Sequence, residues 1–179
     1  MIYPAKIGPW LNGKELISRQ WFNKYNPATG EVLAKVSLGN RRTVETAVSQ
    51  AAAAFPLWSK MPLKSRAEIL KRAARLIEKQ QTEISLLLSR ESGKPVKSAL
   101  GEVVAAARCG RYLVEQGPRF WREKLASAVP KRSLELVRQS IGVGALINPF
   151  NNPLAGIAWK TFPALICGNT EVVKSRELT

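Results

Sequence analysis

The clearest signal along the chain is a change of hydrophobic period. Up to about Gly39 short strand-like runs alternate with turn signals, Asn12-Gly13 and then Asn26-Pro27-Ala28-Thr29-Gly30. The second turn lies between WFNKY and EVLAKV, which predicts two strands joined by a tight connection. From Asn40 to about Lys124 the period lengthens to that of a helix. Thr43 is the expected N-cap, with Thr46 three residues on, and AVSQAAAAF is strongly helix-forming. From Ser65 to Arg90, Ile69, Ala73, Leu76, Ile77, Ile84, Leu87 and Leu88 fall on one stripe with Lys and Arg opposite. Glu91-Ser92-Gly93-Lys94-Pro95 stops that pattern, with Gly as end cap and Pro following. A further helix from about Val96 to Trp121 carries Val103, Val104, Ala107 and Tyr112. These stripes predict packing, not chemistry.

Beyond them the period shortens again. Ser133 to Val137 is short and β-prone. GVGALINP is a near-continuous apolar run, as expected of a strand covered on both faces. In FNNP, Pro153 suits the first turn of a helix. LAGIAWKTFPALI continues that helix, bent or tightened at Pro163 and ended by Gly168-Asn169, and TEVVK is a second strand. Strand, helix and strand in this order predict a parallel crossover unit, in which ligands sit at the carboxyl ends of the strands. Phe150, Asn151, Lys174 and Glu177 are expected there.

Composition narrows the class. The chain has 179 residues, enough to bury a core, and at 45% hydrophobic and 23% charged it is expected to fold. No stretch reaches the roughly 20 apolar residues of a membrane span, and the N-terminus lacks a secretory layout. Two cysteines, Cys109 and Cys167, make no disulfide framework, and without histidine a zinc site is not expected. A reducing cytoplasm fits this composition. The net charge is +15, from 28 Lys and Arg against 13 Asp and Glu. That excess invites a nucleic-acid reading, but the cations are spread from Lys6 to Arg176 without interleaved aromatic stacking platforms. A solvated basic surface, or one meeting an acidic partner, is the expectation.

The crossover unit raises the question of a dinucleotide. A polar or acidic side chain just after the second strand commonly holds the adenosine ribose, and Lys174 and Glu177 are placed for this. The first turn is NPFNNP and not GxGxxG, so the glycine fingerprint is absent. From the residues alone, the favoured reading is that Asn151 or Asn152 simply caps the following helix.

NPATGEVLAKV, the ESGKP turn, GVGALINPFNNPL, AWKTFPALICGNT and VVKSRE resemble successive landmarks of the aldehyde dehydrogenase superfamily, in order, over nearly the whole chain. The resemblance implies an α/β fold with a Rossmann-like NAD(P)-binding domain, here incomplete. Residues 1–39 would form a strand-rich arm, 40–124 a helical region and 133–179 the start of the βαβ unit. It implies oxidation of an aldehyde to a carboxylic acid through a cysteine thiohemiacetal, with hydride transfer to NAD or NADP. On this resemblance Asn151 donates to the oxyanion, where a neutral amide stabilises charge without competing as a nucleophile, and Asn152 caps the helix. Asn152 departs from the usual aromatic or apolar residue. Trp159 lines the aldehyde pocket and Lys160 joins the polar network around cofactor and nucleophile. Ile147, Pro149 and Phe150 flank the nicotinamide, and Lys174 and Glu177 contact the adenosine ribose. Ser175 stands where a proline often follows the lysine. Glu177 favours NAD, because a carboxylate repels a 2′-phosphate.

The same resemblance puts the nucleophilic cysteine, the general-base glutamate and the glycines near the pyrophosphate beyond residue 179. Cys109 and Cys167 are expected to be small buried apolar side chains. The expectation is therefore an N-terminal portion, working with a complementary C-terminal chain or as a homo-oligomer, or else a noncatalytic interaction module. Alone it is expected to be inactive and aggregation-prone.

Overall fold

The computed structural model describes residues 5–16 and 19–175. The arm contains β1 (Lys6–Ile7), β2 (Trp10–Leu11), β3 (Lys14–Glu15), β4 (Trp21–Tyr25) and β5 (Val32–Ser37). Strands β2 and β3 form a hairpin whose two turn residues, Asn12 and Gly13, both have positive φ. Strand β5 pairs antiparallel with β4 and parallel with β1. The turn between β4 and β5 is closed by Gly30 N–H on Asn26 O (2.8 Å), and Asn26 Oδ1 accepts from Ala28 N–H (3.0 Å).

Four helices follow: α1 (Arg41–Lys60), α2 (Leu63–Lys79), α3 (Gln81–Ser92) and α4 (Val96–Trp121). Helix α1 is capped three residues earlier than expected. Asn40 is the N-cap, accepting from Thr43 N–H (3.0 Å), while the Thr43 hydroxyl accepts from Asn40 N–H (3.3 Å). Thr43 is thus the third helical residue of a capping box, a place its hydroxyl fills as well as a Glu would. The expected stripe from Ser65 to Arg90 is divided between two helices, which meet at Gln80. Its burial also shifts by about one residue. Ala67, Leu70 and Ala74 are buried, while Ile69 and Leu76 are exposed, because the packing partners are α4 and the later helix α5 (Pro153–Ile166). Gly93 ends α3 with φ 74°, a left-handed cap that an L side chain adopts only at a cost. Tyr112 on α4, expected inward, is exposed.

The last elements are β6 (Arg122–Leu125), β7 (Leu134–Val137), β8 (Val143–Ile147), α5 (Pro153–Ile166) and β9 (Thr170–Lys174). Strands β6 and β7 form an antiparallel pair with Leu125, Leu134, Leu136 and Val137 exposed. Strands β8 and β9 are parallel, with Val143 opposite Thr170 and Ile147 opposite Lys174. The helix between them begins at Pro153 and contains Pro163, as the sequence predicts. The Asn169 side chain accepts from Ile141 and Gly142 N–H (2.7 and 3.2 Å), fixing where β8 starts.

The core lies between α2, α4 and α5. Ala67, Leu70 and Ala74 meet Ala106 and Val114 from α4 and Ala158, Phe162 and Ile166 from α5. A Cβ on Gly110 would strike the Phe162 ring, so α4 and α5 approach closely there. A smaller cluster joins Leu88 to Ala99 and Val103. Strand β8 is not covered on both faces. Val143, Ala145 and Ile147 are exposed and alternate with partly buried Gly144 and Leu146. Among the described residues β9 is its one paired neighbour, so an apolar run of the kind found in buried strands stands with one face open.

Candidate functional site

The parallel pair brings two chain segments to one edge. With Ile147 and Lys174 level in the register, the loop 148–152 and Ser175 leave the sheet at one edge. Pro149, Phe150 and Asn151 are exposed on that loop, and Lys174 is exposed at the end of β9, its ammonium donating to Ser175 O (3.1 Å). Trp159 is exposed on α5. Lys160 Nζ donates to Ile147 O, so this lysine turns back onto the carboxyl end of β8. Glu177 lies outside the described residues. Of the eight site residues singled out from the sequence, seven are therefore described, and they lie on one edge and the helix that leaves it.

The loop is tied by side chains of its own and from afar. Asn148 is buried, and its Nδ2 donates to Pro153 O (2.6 Å), bridging the loop from inside. Its backbone N–H donates to Lys174 O (3.1 Å), continuing the β8–β9 ladder. Asn148 Oδ1 faces Gly156, where a Cβ would collide with it. Only the smallest residue on the first turn of α5 leaves room for that side chain.

The start of α5 is not capped as expected. Asn152 occupies the N-cap position, but its side chain makes no capping bond. Glu102 on α4 does this instead, its Oε1 accepting from Leu154 N–H (2.8 Å) and Ala155 N–H (3.1 Å). A buried carboxylate satisfies two orphan donors and meets the positive end of the helix dipole more strongly than a neutral amide could. Glu102 also pairs with Lys94, whose ammonium donates to Asn151 O (2.7 Å) and Asn152 Oδ1 (3.5 Å). The place where doubly wound folds usually seat a phosphate, the first helix N-terminus, is thus filled by the chain's own carboxylate.

At the other end of α5 a second buried charge was also unforeseen. Arg66, expected on the polar side of its helix, is 1% exposed. Its guanidinium donates to Ile166 O (3.3 Å), Trp58 O (3.4 Å), Ser59 O (3.2 Å) and Met61 O (2.5 Å), gathering the last carbonyls of α5 and α1. Both cysteines are partly buried, not fully so. Burial pushes the Cys109 thiol up, and it pushes Cys167 up against the opposing pull of Arg66 and Arg138. Neither thiol is activated as a nucleophile needs. Among the described residues no group of three or more His, Cys, Asp or Glu could hold a metal, and no helix is long and apolar enough to cross a membrane.

Sequence reasoning missed Glu102, Lys94, Asn148 and Arg66. One signal was available for Glu102, because it shares a helical stripe with Ala99, Val103 and Ala106, all buried. An acid on an apolar stripe calls for a partner. Arg66 offers no such signal in a helix rich in Arg and Lys.

Comparison with known proteins adds to this geometry. Residues 10–179 match the family model for the aldehyde dehydrogenase family. A mitochondrial succinate-semialdehyde dehydrogenase of Oryza sativa subsp. japonica is 36% identical over 177 residues, covering 94% of this chain and 34% of that protein. Among solved structures, an NADP-dependent enzyme of E. coli superposes with a TM-score of 0.91 at 30% identity, covering 99% of this chain and 37% of that one. PnpE in complex with nicotinamide adenine dinucleotide gives 0.86 at 28% identity, covering 93% and 35%. The chain spans about a third of the length of the curated relatives it matches. It belongs to the aldehyde dehydrogenase family.

Proposed function

We propose that this chain acts as the N-terminal third of an NAD(P)-dependent aldehyde dehydrogenase, in which Asn151 donates its side-chain amide to the oxyanion formed at the aldehyde carbon. The observation that carries the reading is a loop tied at its start, middle and end, with Asn151 exposed at the carboxyl edge of a parallel pair. A preorganised neutral donor at such an edge is worth about a hundredfold or more in rate. The cofactor, when bound, accepts hydride. Lys174 and Glu177 would hold its adenosine ribose, Ile147, Pro149 and Phe150 would flank its nicotinamide end, and Lys160 would support the polar edge. Trp159 would line the aldehyde pocket. The available residues fit the ribose end of a dinucleotide and not its pyrophosphate, since Glu102 occupies the helix start. The Glu177 carboxylate favours NAD over NADP.

In the proposed cycle the nucleophilic thiol is supplied by another segment, because Cys109 lies within α4 and Cys167 at the end of α5 opposite the Asn151 loop. Relatives named for semialdehydes favour a substrate that carries a carboxylate besides its aldehyde, and the basic surface of this chain suits such anions.

The test is complementation. The chain alone should oxidise no aldehyde, and turnover surviving removal of Cys109 and Cys167 would overturn the division of labour. Combined with the C-terminal two thirds of a semialdehyde dehydrogenase relative, it should restore NAD(P)-dependent turnover. Asn151→Ala should then lower kcat about a hundredfold. An active complex indifferent to that substitution would remove Asn151 from the oxyanion role. A second reading, an interaction module without catalysis, draws on the exposed apolar residues of β6 and β7. A complex that forms but never turns over would favour it.

A further inference from the structure

Three separate landmarks of the sequence lie in mechanical series. The turn containing Pro27 packs on Gly93, so closely that a Cβ there would meet the Pro27 ring at 2.8 Å. Gly93 opens the segment that presents Lys94, and Ser89 Oγ donates to Lys94 O (2.6 Å) to hold it. Lys94 then reaches across to the loop of Asn151.

The bonding at that junction is complete. An ammonium has three donors, and those of Lys94 address Glu102 Oε2, Asn151 O and Asn152 Oδ1. The other Glu102 oxygen accepts from Leu154 and Ala155 N–H. One ion pair therefore grips the backbone on both sides of residues 152 and 153. The side chains are 18% and 3% exposed for Lys94 and Glu102. A pair this buried is favourable only when extra hydrogen bonds satisfy its remaining valences, as they do here. Capping α5 by itself needs no such device, because Asn152 already stands at the N-cap position and its residue type caps readily. Its side chain is spent on Lys94 instead. What the pair adds over a local cap is a fixed direction for the Asn151 peptide.

We propose that Lys94, held by Glu102, is a positioning residue for Asn151, setting the orientation of the loop and not merely closing the helix. The proposal rests on the oxyanion reading for its functional meaning, but its mechanical content is measurable without cofactor or aldehyde.

The first experiment measures backbone NMR order parameters on the 179-residue chain, or in its complex if the free chain self-associates. In Lys94→Met, Asn151 and Asn152 should fall from the rigid range near about 0.85 to below about 0.6, with α4 and β8 unchanged. Lys94→Arg should restore most of the rigidity. Unchanged order at Asn151, or an equal loss throughout α4, would overturn the proposal. If Lys94→Met does not fold, Glu102→Gln keeps the shape and removes the charge. Amide exchange at Leu154 and Ala155 should then quicken about fivefold, the scale of one weakened cap, and no change would again refute it.

The second experiment uses the complemented enzyme. Lys94→Met should lower kcat about tenfold with KM for NAD(P)+ unchanged, and an equal rise in KM would mean a general loss of fold. If the loop loosens as expected while Asn151→Ala leaves kcat intact, the oxyanion reading fails and the positioning stands.

Discussion

The two ends of α5 solve one problem in different ways. Each end leaves unpaired backbone groups inside the molecule, and each is met by a charge from a distant helix with the sign the helix dipole favours. At the N-terminal end the charge is Glu102, paired with Lys94 and shared with an exposed loop. At the C-terminal end it is Arg66, which donates to the carbonyls of Trp58, Ser59, Met61 and Ile166. Burial lowers the Arg66 pKa, with Cys167 pulling it back, yet a guanidinium keeps its charge. The C-terminal device fastens the ends of two helices together. The N-terminal device leaves its grip on a loop that carries an exposed amide. The same physics serves stability at one end and orientation at the other.

The comparison breaks most severely at Arg66. Arg66→Met should leave carbonyls of α1 and α5 without donors and cost about 3 kcal/mol, a melting shift of roughly 10 °C. Thermal unfolding followed by circular dichroism checks this, and a shift under about 2 °C would mean that water replaces the guanidinium freely. A methionine of similar volume keeps the packing, so the loss reports the hydrogen bonds.

Gly156→Ala sharpens the other end. The new methyl must displace the Asn148 side chain, whose Oδ1 faces that position while its Nδ2 is bonded to Pro153 O. We expect about 2 kcal/mol of destabilisation by urea titration. Asn148→Ala in the same chain should recover part of it, since the two atoms compete for one space. Additive losses would show that they do not.

The smallest effect concerns neither end but the strand beside them. Burial raises the Glu171 carboxyl on β9 above its ordinary value of 4.5, with the Thr161 hydroxyl drawing it partly back. A carboxyl with a raised folded pKa opposes folding once it ionises. That cost is complete above the folded pKa and vanishes as the pH falls below the unfolded one. Glu171→Gln should therefore be more stable than the native chain at pH 7, with the advantage shrinking toward pH 4. A difference constant with pH would show that the carboxyl is solvated.

The sequence by itself determined most of the elements, though neither the break at Gln80 nor strand β6, which lies at the end of the region expected to be helical. Helical period, the Gly93 cap, the Asn12-Gly13 hairpin and the Pro153 start are local properties of neighbouring residues, and each is where the pattern puts it. The parallel crossover was equally legible, since apolar strand, amphipathic helix and apolar strand admit few arrangements. It also named the edge for Phe150, Asn151, Lys174 and Glu177, of which the first three are described there. Only the tertiary structure decided which charges are buried and what they hold. Arg66 meets Ile166 across 100 residues, and Glu102 meets Leu154 across 52. No period along the chain encodes such a pairing, because it depends on how helices cross and which backbone groups their ends leave unsatisfied. The exposure of Val143 and Ile147 has the same origin: a run of apolar residues states a preference for burial, and neighbouring elements determine whether it is met.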